Sequence, residues 1–237
     1  MSFQGKVVIV TGATGNLGRA VVQRFASEGA RLVLVDRNAE AIEKYVTEAG
    51  IRDYLPSITD AGNPESVEAM IAAVEQKYGQ IDVLAHTVGG YDAGKAVHEA
   101  GSLEVYEKMM NLNVRPIYVL AGRVARYMVE KGAPGKIVVV LARAALKGGK
   151  GSGAYTASKA AALRVVESMA AELRDMGINV NGVAPSIIDT PLNRKDMPNA
   201  DFEKWVKPAQ LADAIAFLAS DAAHAVHGTM LEVYGRA

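Results

Sequence analysis

Lys6-Val-Val-Ile-Val10-Thr-Gly12-Ala-Thr14-Gly15-Asn16-Leu17-Gly18 decides how the chain is read. Five residues dominated by β-branched apolar side chains have the form of a strand buried on both faces, as in a parallel sheet. The glycines at 12, 15 and 18 follow at once, and an amphipathic stretch through Phe25 and Ala26 comes after them. Glycine permits a tight turn and lets backbone N–H groups approach a pyrophosphate at a helix N-terminus, where the helix dipole favours negative charge. Arg31-Leu-Val-Leu-Val35 reads as a second strand and ends at Asp36. A carboxylate there accepts hydrogen bonds from the adenosine ribose and repels a 2′-phosphate, so NAD(H) is the expected cofactor. Arg37 leaves NADP(H) open, because its guanidinium either meets such a phosphate or is a solvated loop charge.

The alternation continues downstream. Helices are expected near 39–48 and 64–78, with a weak strand near 54–58 between them and a strand at 81–85. Strands alternating with helices imply right-handed βαβ crossovers. The expected fold is therefore a Rossmann-type doubly wound parallel sheet of about seven strands, in one α/β domain covering residues 1–237. His86-Thr-Val-Gly89-Gly90-Tyr91 follows the fourth strand, at the carboxyl edge where ligands of open sheets bind. One long helix is expected over about 103–129, kinked where Pro116 cannot donate to the carbonyl of Leu112. Asn113 beside that kink either holds a water or satisfies local backbone. Lys136–Val140 and Asn179–Val183 read as further strands, the second running on to Pro185 and Thr190, both assigned to cofactor binding. Residues 190–207 are polar, bounded by prolines, and read as a mobile lid. A last helix over 208–219 and a strand over 230–234 close the domain.

Bulk properties narrow the function. A chain of 237 residues, half of them hydrophobic, is long enough for a large single core. Its 26 basic and 26 acidic residues balance, leaving no net field to attract nucleic acid or an anionic membrane. There is no cysteine, so disulfides, thiolate nucleophiles and cysteine-bound zinc are excluded. The four histidines lack metal-ligand spacing, and no metal is expected. No signal-like or membrane-length apolar segment is found, from which a soluble, cytoplasmic protein acting on a small molecule is expected.

Tyr155-Thr-Ala-Ser-Lys159 opens a run that reads as helix to about Met176. Four residues apart, the phenol and the ammonium share one helix face. A phenol titrates near pH 10, and a neighbouring ammonium pulls that value down toward neutrality. Tyr155 is thus a candidate acid–base, against the bland alternative of a half-buried ring beside a solvated lysine.

With the glycine loop, Asp36, Gly89-Gly90, Asn113, Tyr155 and Lys159 in this order, the sequence resembles the short-chain dehydrogenase/reductase family over essentially its whole length. The resemblance implies that Tyr155 is the acid–base, that Lys159 lowers its pKa and binds the nicotinamide ribose, and that Asn113 holds a relay water. It also implies a homodimer or homotetramer built on the long helices. Three positions depart from the family pattern: Asn16 stands for a glycine, His86-Thr-Val-Gly89 for Asn-Asn-Ala-Gly, and Ala142 for a serine thirteen residues before the tyrosine. That serine hydrogen-bonds the substrate oxygen, and losing one such donor costs about 3–4 kcal/mol of transition-state stabilisation.

Those departures, with Asp189-Thr-Pro-Leu-Asn-Arg-Lys-Asp-Met-Pro-Asn-Ala-Asp-Phe-Glu-Lys-Trp205, look like the quinonoid dihydropteridine reductases, although that group has tryptophan at Tyr91 and generally lacks Asn113. The expected reaction is hydride transfer from NADH to a quinonoid dihydropterin-like ring, with Tyr91, Ala142 and Trp205 against the substrate. Reduction of an ordinary ketone or quinone, or oxidation of an alcohol, is the alternative. A non-catalytic NAD-binding protein is the third reading, and Tyr155 with Lys159 argues against it. Tyr91 and Trp205 either offer flat apolar contact to the substrate or merely pack the turn and the lid.

Overall fold

A computed structural model describes residues 2–236. Seven parallel strands form one sheet in the order β3-β2-β1-β4-β5-β6-β7, as the alternation predicts. The strands are β1 Val7–Thr11, β2 Arg31–Asp36, β3 Tyr54–Ile58, β4 Val83–His86, β5 Gly135–Val140, β6 Ile178–Pro185 and β7 Met230–Val233. The order reverses between β1 and β4, and a crevice opens at the carboxyl ends of strands on either side of such a switch.

Each strand of the centre feeds two cores because its side chains alternate. Val7 and Ile9 of β1 join Val33, Leu84 and Ile137 under Met70, Leu120 and Val166. Val8 and Val10 join Leu32, Leu34 and Val138 under Val21, Phe25 and Ile215 on the opposite face. Helices α1 Asn16–Ala26, α2 Ala39–Ala49 and α8 Pro208–Ala219 cover the second face, and α3 Pro64–Tyr78 and α6 Gly153–Leu173 the first. Asn38 and Asn63 cap α2 and α3 by accepting the N–H groups of Ala41 and Ser66, which explains why those two helices start where they do.

The single long helix expected over 103–129 is divided. Helix α4 spans Ser102–Asn113, a π-helical turn covers Ile117–Ala121, and α5 resumes at Gly122–Glu130. Pro116 lacks the N–H that would continue the ladder, and the wide turn absorbs the mismatch. Asn113 becomes the last residue of α4 instead of a mid-helix position.

The polar segment expected as a mobile lid carries its own structure. Helix α7, Pro191–Asp196, is followed by a 3₁₀ turn over Phe202–Lys204. Asp189 accepts from Arg194 at 2.6 and 2.8 Å and from Lys207 at 2.8 Å. Trp205 is buried and packs against Phe202 at 4.8 Å between ring centroids. Among the described residues, no helix is long and apolar enough to cross a membrane.

Candidate active site

Two compartments of one cleft run along the carboxyl edge of the sheet. The larger, about 940 Å³, is lined by the loop from Gly12 to Gly18, by Asp36 and Arg37, and by Thr59 to Gly62. The other, about 660 Å³, holds Tyr91, Ala142, Tyr155, Lys159 and Pro185. Thr87 and Gly89 line both, so they meet at the end of β4.

The glycine loop is shaped by close approach of backbone to backbone. A Cβ on Gly18 would fall 1.9 Å from the Gly12 carbonyl oxygen, and Gly12 itself adopts φ +63°. Only glycine fits these two places. No side chain caps α1 at Gly15, which leaves its first-turn N–H groups facing the cleft that Asn16 and Leu17 line. Thr14 fastens the loop to the second strand: its N–H and hydroxyl both donate to Asp36 Oδ2, at 3.0 and 2.6 Å. The N–H of Arg37 donates to Asp36 Oδ1 at 2.8 Å. Spacing between residues 14 and 36 carried no signal of this clamp. These features fit a dinucleotide: a cradle without side chains for phosphates, and an acceptor at its far end for a ribose.

In the second compartment the structure brings Tyr155 and Lys159 together on the first turns of α6. Both titrate differently from what their spacing alone predicts. Burial pushes the Tyr155 phenol up to about 12, with the Tyr91 phenol adding to the rise. Burial lowers Lys159 to about 8. Its ammonium donates to the Val140 carbonyl at 3.2 Å, and desolvation of the phenol outweighs the expected lowering of Tyr155.

Asn113 is fully engaged with protein. Its Oδ1 accepts from the Gly90 N–H at 2.9 Å, and its Nδ2 donates to the Gly90 carbonyl at 3.1 Å and to Ser158 Oγ at 3.0 Å. Of the two roles its position allows, satisfying backbone is the one the geometry shows. A Cβ on Gly89 would press on Asn113 Oδ1 at 3.0 Å and on Lys159 Nζ at 3.2 Å.

Tyr91 stands edge-on to Tyr155, with ring centroids 4.8 Å apart and planes at 79°. Ala142 is buried at the cleft wall. Trp205 does not line the cleft: buried against Phe202, it anchors the 190–207 segment, the second of the two roles expected for it, and makes no flat contact with the substrate compartment. Thr190 caps α7 by accepting the Asn193 N–H at 3.2 Å and is likewise absent from the cleft wall. Ser158, Arg143 and Ile187 belong to the site and escaped the sequence reading. Only Ser158, three residues after Tyr155, offered a clue through its position on the same helix face. Among the described residues no cluster of side chains could hold a metal ion.

A parallel sheet reversing at β1/β4, a glycine cradle at its edge, and a Tyr-x-x-x-Lys pair beside it define a dinucleotide-dependent oxidoreductase. The chain belongs to the short-chain dehydrogenase family, whose model matches residues 6–201. It is 31% identical over 249 residues, covering 99% of this chain and 98% of the other, to the 3-oxoacyl-[acyl-carrier-protein] reductase FabG of Thermotoga maritima. It is 33% identical over 247 residues to the D-threitol dehydrogenase of Mycolicibacterium smegmatis, covering 98% of this chain and 93% of that one. The solved structure of a short-chain type dehydrogenase/reductase from Mycobacterium ulcerans superposes with TM-score 0.91 at 26% identity, over 100% of this chain and 90% of that one. These matches carry the family, not the narrower resemblance to the dihydropteridine reductases.

Proposed function

We propose that the protein interconverts a secondary alcohol and a ketone with NAD(H), the phenol of Tyr155 exchanging the proton. The observation that carries this reading is the meeting of the glycine cradle with a mainly apolar compartment that presents Tyr155 and Lys159. Relatives named for an oxoacyl reduction and a polyol dehydrogenation support the same chemistry. A nicotinamide supplies the hydride when bound. Tyr155 then gives its proton to the substrate oxygen as charge develops there, and Lys159, buried behind it, stabilises the phenolate left on the enzyme. Asn113 keeps the Gly90 turn against α6, and the apolar wall excludes water.

NAD(H) is preferred in this reading because the Asp36 carboxylate stands at the ribose end, and Arg37 beside it leaves NADP(H) as the weaker cofactor. A specific observation favours the quinonoid dihydropterin as a second reading: Ala142 provides no hydroxyl, and a conjugated ring that spreads its charge needs a localised donor less than a ketone does. Self-association is carried by an apolar groove of about 530 Å³ between α5 and α6, lined by Tyr118, Ala125, Val129, Val165 and Met169. Sedimentation equilibrium reads it directly.

The experiment is NADH oxidation with ethyl acetoacetate, cyclohexanone and a quinonoid dihydropterin. Ketone turnover with at least a 10²-fold loss in Tyr155→Phe supports the carbonyl reading. Turnover of the pterin alone replaces it with the second.

A further inference from the structure

The missing hydroxyl at Ala142 leaves a question of chemistry. Hydride addition moves the carbonyl π pair onto oxygen, and an oxyanion forming in an apolar cleft needs donors aimed at it from the start. Tyr155 is one, and it alone transfers a proton.

Among the other side-chain donors of the compartment, the Lys159 ammonium donates to the Val140 carbonyl at 3.2 Å. The Thr87 hydroxyl donates to the Thr11 carbonyl at 2.6 Å. The Ser186 hydroxyl donates to the Tyr234 carbonyl at 2.7 Å. Asn193 Nδ2 donates to the Ile188 carbonyl at 2.7 Å. The Arg143 guanidinium lies over the Tyr234 ring, 5.4 Å from its centroid. Tyr91 differs: 70% exposed at the open side of the cleft, its hydroxyl makes no hydrogen bond to protein among the described residues, while its ring lines the cleft and packs edge-on to the ring of Tyr155.

The residues on either side of Tyr91 are tied to the fold. Asn113 grips the Gly90 peptide on one side, and Lys108 binds Asp92 at 2.6 Å on the other. Both come from α4. Asn113 also donates to Ser158, whose hydroxyl donates to the Tyr155 carbonyl at 2.8 Å. Tyr91 and Tyr155 are therefore indexed to the same amide. Gly94, three residues on, donates to the Gly151 carbonyl at 2.8 Å and closes the turn over the start of α6.

We propose that Tyr91 supplies the second hydrogen-bond donor to the substrate oxygen, replacing from the β4 turn the hydroxyl that Ala142 does not provide from β5. The assignment rests on the carbonyl reading above. In it Tyr91 holds its own proton throughout: the hydride and its electron pair go to the carbonyl carbon, the π pair goes to oxygen, and the proton that neutralises the oxygen comes from Tyr155.

An oxyanion probe tests this without turnover. 4-Nitrophenolate is titrated by its absorbance into the wild type, Tyr91→Phe, Ala142→Ser and the Y91F/A142S double variant. Wild-type binding, a roughly tenfold or greater weakening in Tyr91→Phe as expected for loss of a hydrogen bond to a charged group, and a larger gain from Ala142→Ser in the Y91F background than in the wild type support the assignment. No binding by the wild type, or affinity in Tyr91→Phe within twofold of it, overturns it. Ketone reduction measured on the same proteins separates the two levels. A wild type that reduces ketones while Tyr91→Phe binds the probe unchanged sinks the Tyr91 role alone, and a wild type that reduces none sinks the carbonyl reading.

Discussion

The side chain of Asn113 closes on both polar atoms of Gly90, accepting its N–H at 2.9 Å and donating to its carbonyl at 3.1 Å. A side-chain amide that mimics a strand neighbour fixes the turn after β4 in the way sheet pairing fixes a strand. Because Nδ2 also reaches Ser158, the same group couples that turn to the first turn of α6.

Asn113→Ala therefore leaves the Gly90 N–H and carbonyl without their side-chain partners in a half-buried place. The cost is about 1–3 kcal/mol per unsatisfied group, read as a lower urea midpoint. Asn113→Asp keeps the acceptor for the Gly90 N–H and loses the two Nδ2 donors. It should fall between the wild type and Asn113→Ala in activity, and equal activity of all three would show that the coupling does not position the site.

Asp36 is predicted to have two effects when removed. Asp36→Ala removes the charge that repels a 2′-phosphate and also frees the Thr14 N–H and hydroxyl that now hold its carboxylate. Titration calorimetry should show NADH favoured about tenfold or more over NADPH in the wild type, about 1.4 kcal/mol. In the variant that ratio should shrink or reverse, with NADH itself bound more weakly because the loop loses its clamp. A variant with the wild-type ratio would remove Asp36 from cofactor selection.

Lys159 is predicted to make the fold less stable at neutral pH than an apolar side chain would. Its folded value is lowered from 10.5 to about 8, so below about 8 the folded state must hold a buried charge that the unfolded chain leaves in water. Between about 8 and 10.5 the unfolded state binds the extra proton, and stability rises with pH across that window. Lys159→Met should thus be more stable than the wild type at pH 7, by about 1–3 kcal/mol, and catalytically poor. The advantage should shrink as pH approaches 10, which paired thermal melts at pH 7 and 9.5 would show. A destabilised variant at pH 7 would mean that the ammonium is better satisfied than its one contact to Val140 implies.

His86 predicts the opposite limb. Buried at the end of β4, it meets the Thr11 hydroxyl through Nδ1 at 3.1 Å, and its Nε2 has no hydrogen-bond partner among the described residues. Burial, with the Lys159 charge nearby, lowers its pKa from 6.5 to about 3. Between those values only the unfolded state takes up the proton, so stability falls as pH falls from about 6.5 toward 3. His86→Asn should remove part of that acid sensitivity, on the order of 3 kcal/mol at pH 4 relative to pH 7. Denaturant midpoints at the two pH values measure it, and parallel pH dependence in both proteins would exclude His86 as the source.

What the sequence determined by itself is what local chemistry dictates. Val7 to Val10 have the form of a doubly buried strand, the glycines at 12 and 18 in their strand-to-helix context favour a backbone cradle over a plain turn, and alternation of strand and helix implies a parallel sheet with right-handed crossovers. Tyr155 and Lys159 share a face because both lie on one helix, a relation that spacing of four residues guarantees. The tertiary structure decided everything that depends on which surfaces meet. Thr14 finds Asp36, and Asn113 finds Gly90 and Ser158, because chain segments far apart in sequence are brought within hydrogen-bond distance by the sheet order. The titration of Tyr155 belongs to the same class. A neighbouring ammonium argues for a lowered pKa, but the extent of burial sets the larger opposing effect, and burial is a property of the whole packed domain that no four-residue motif contains.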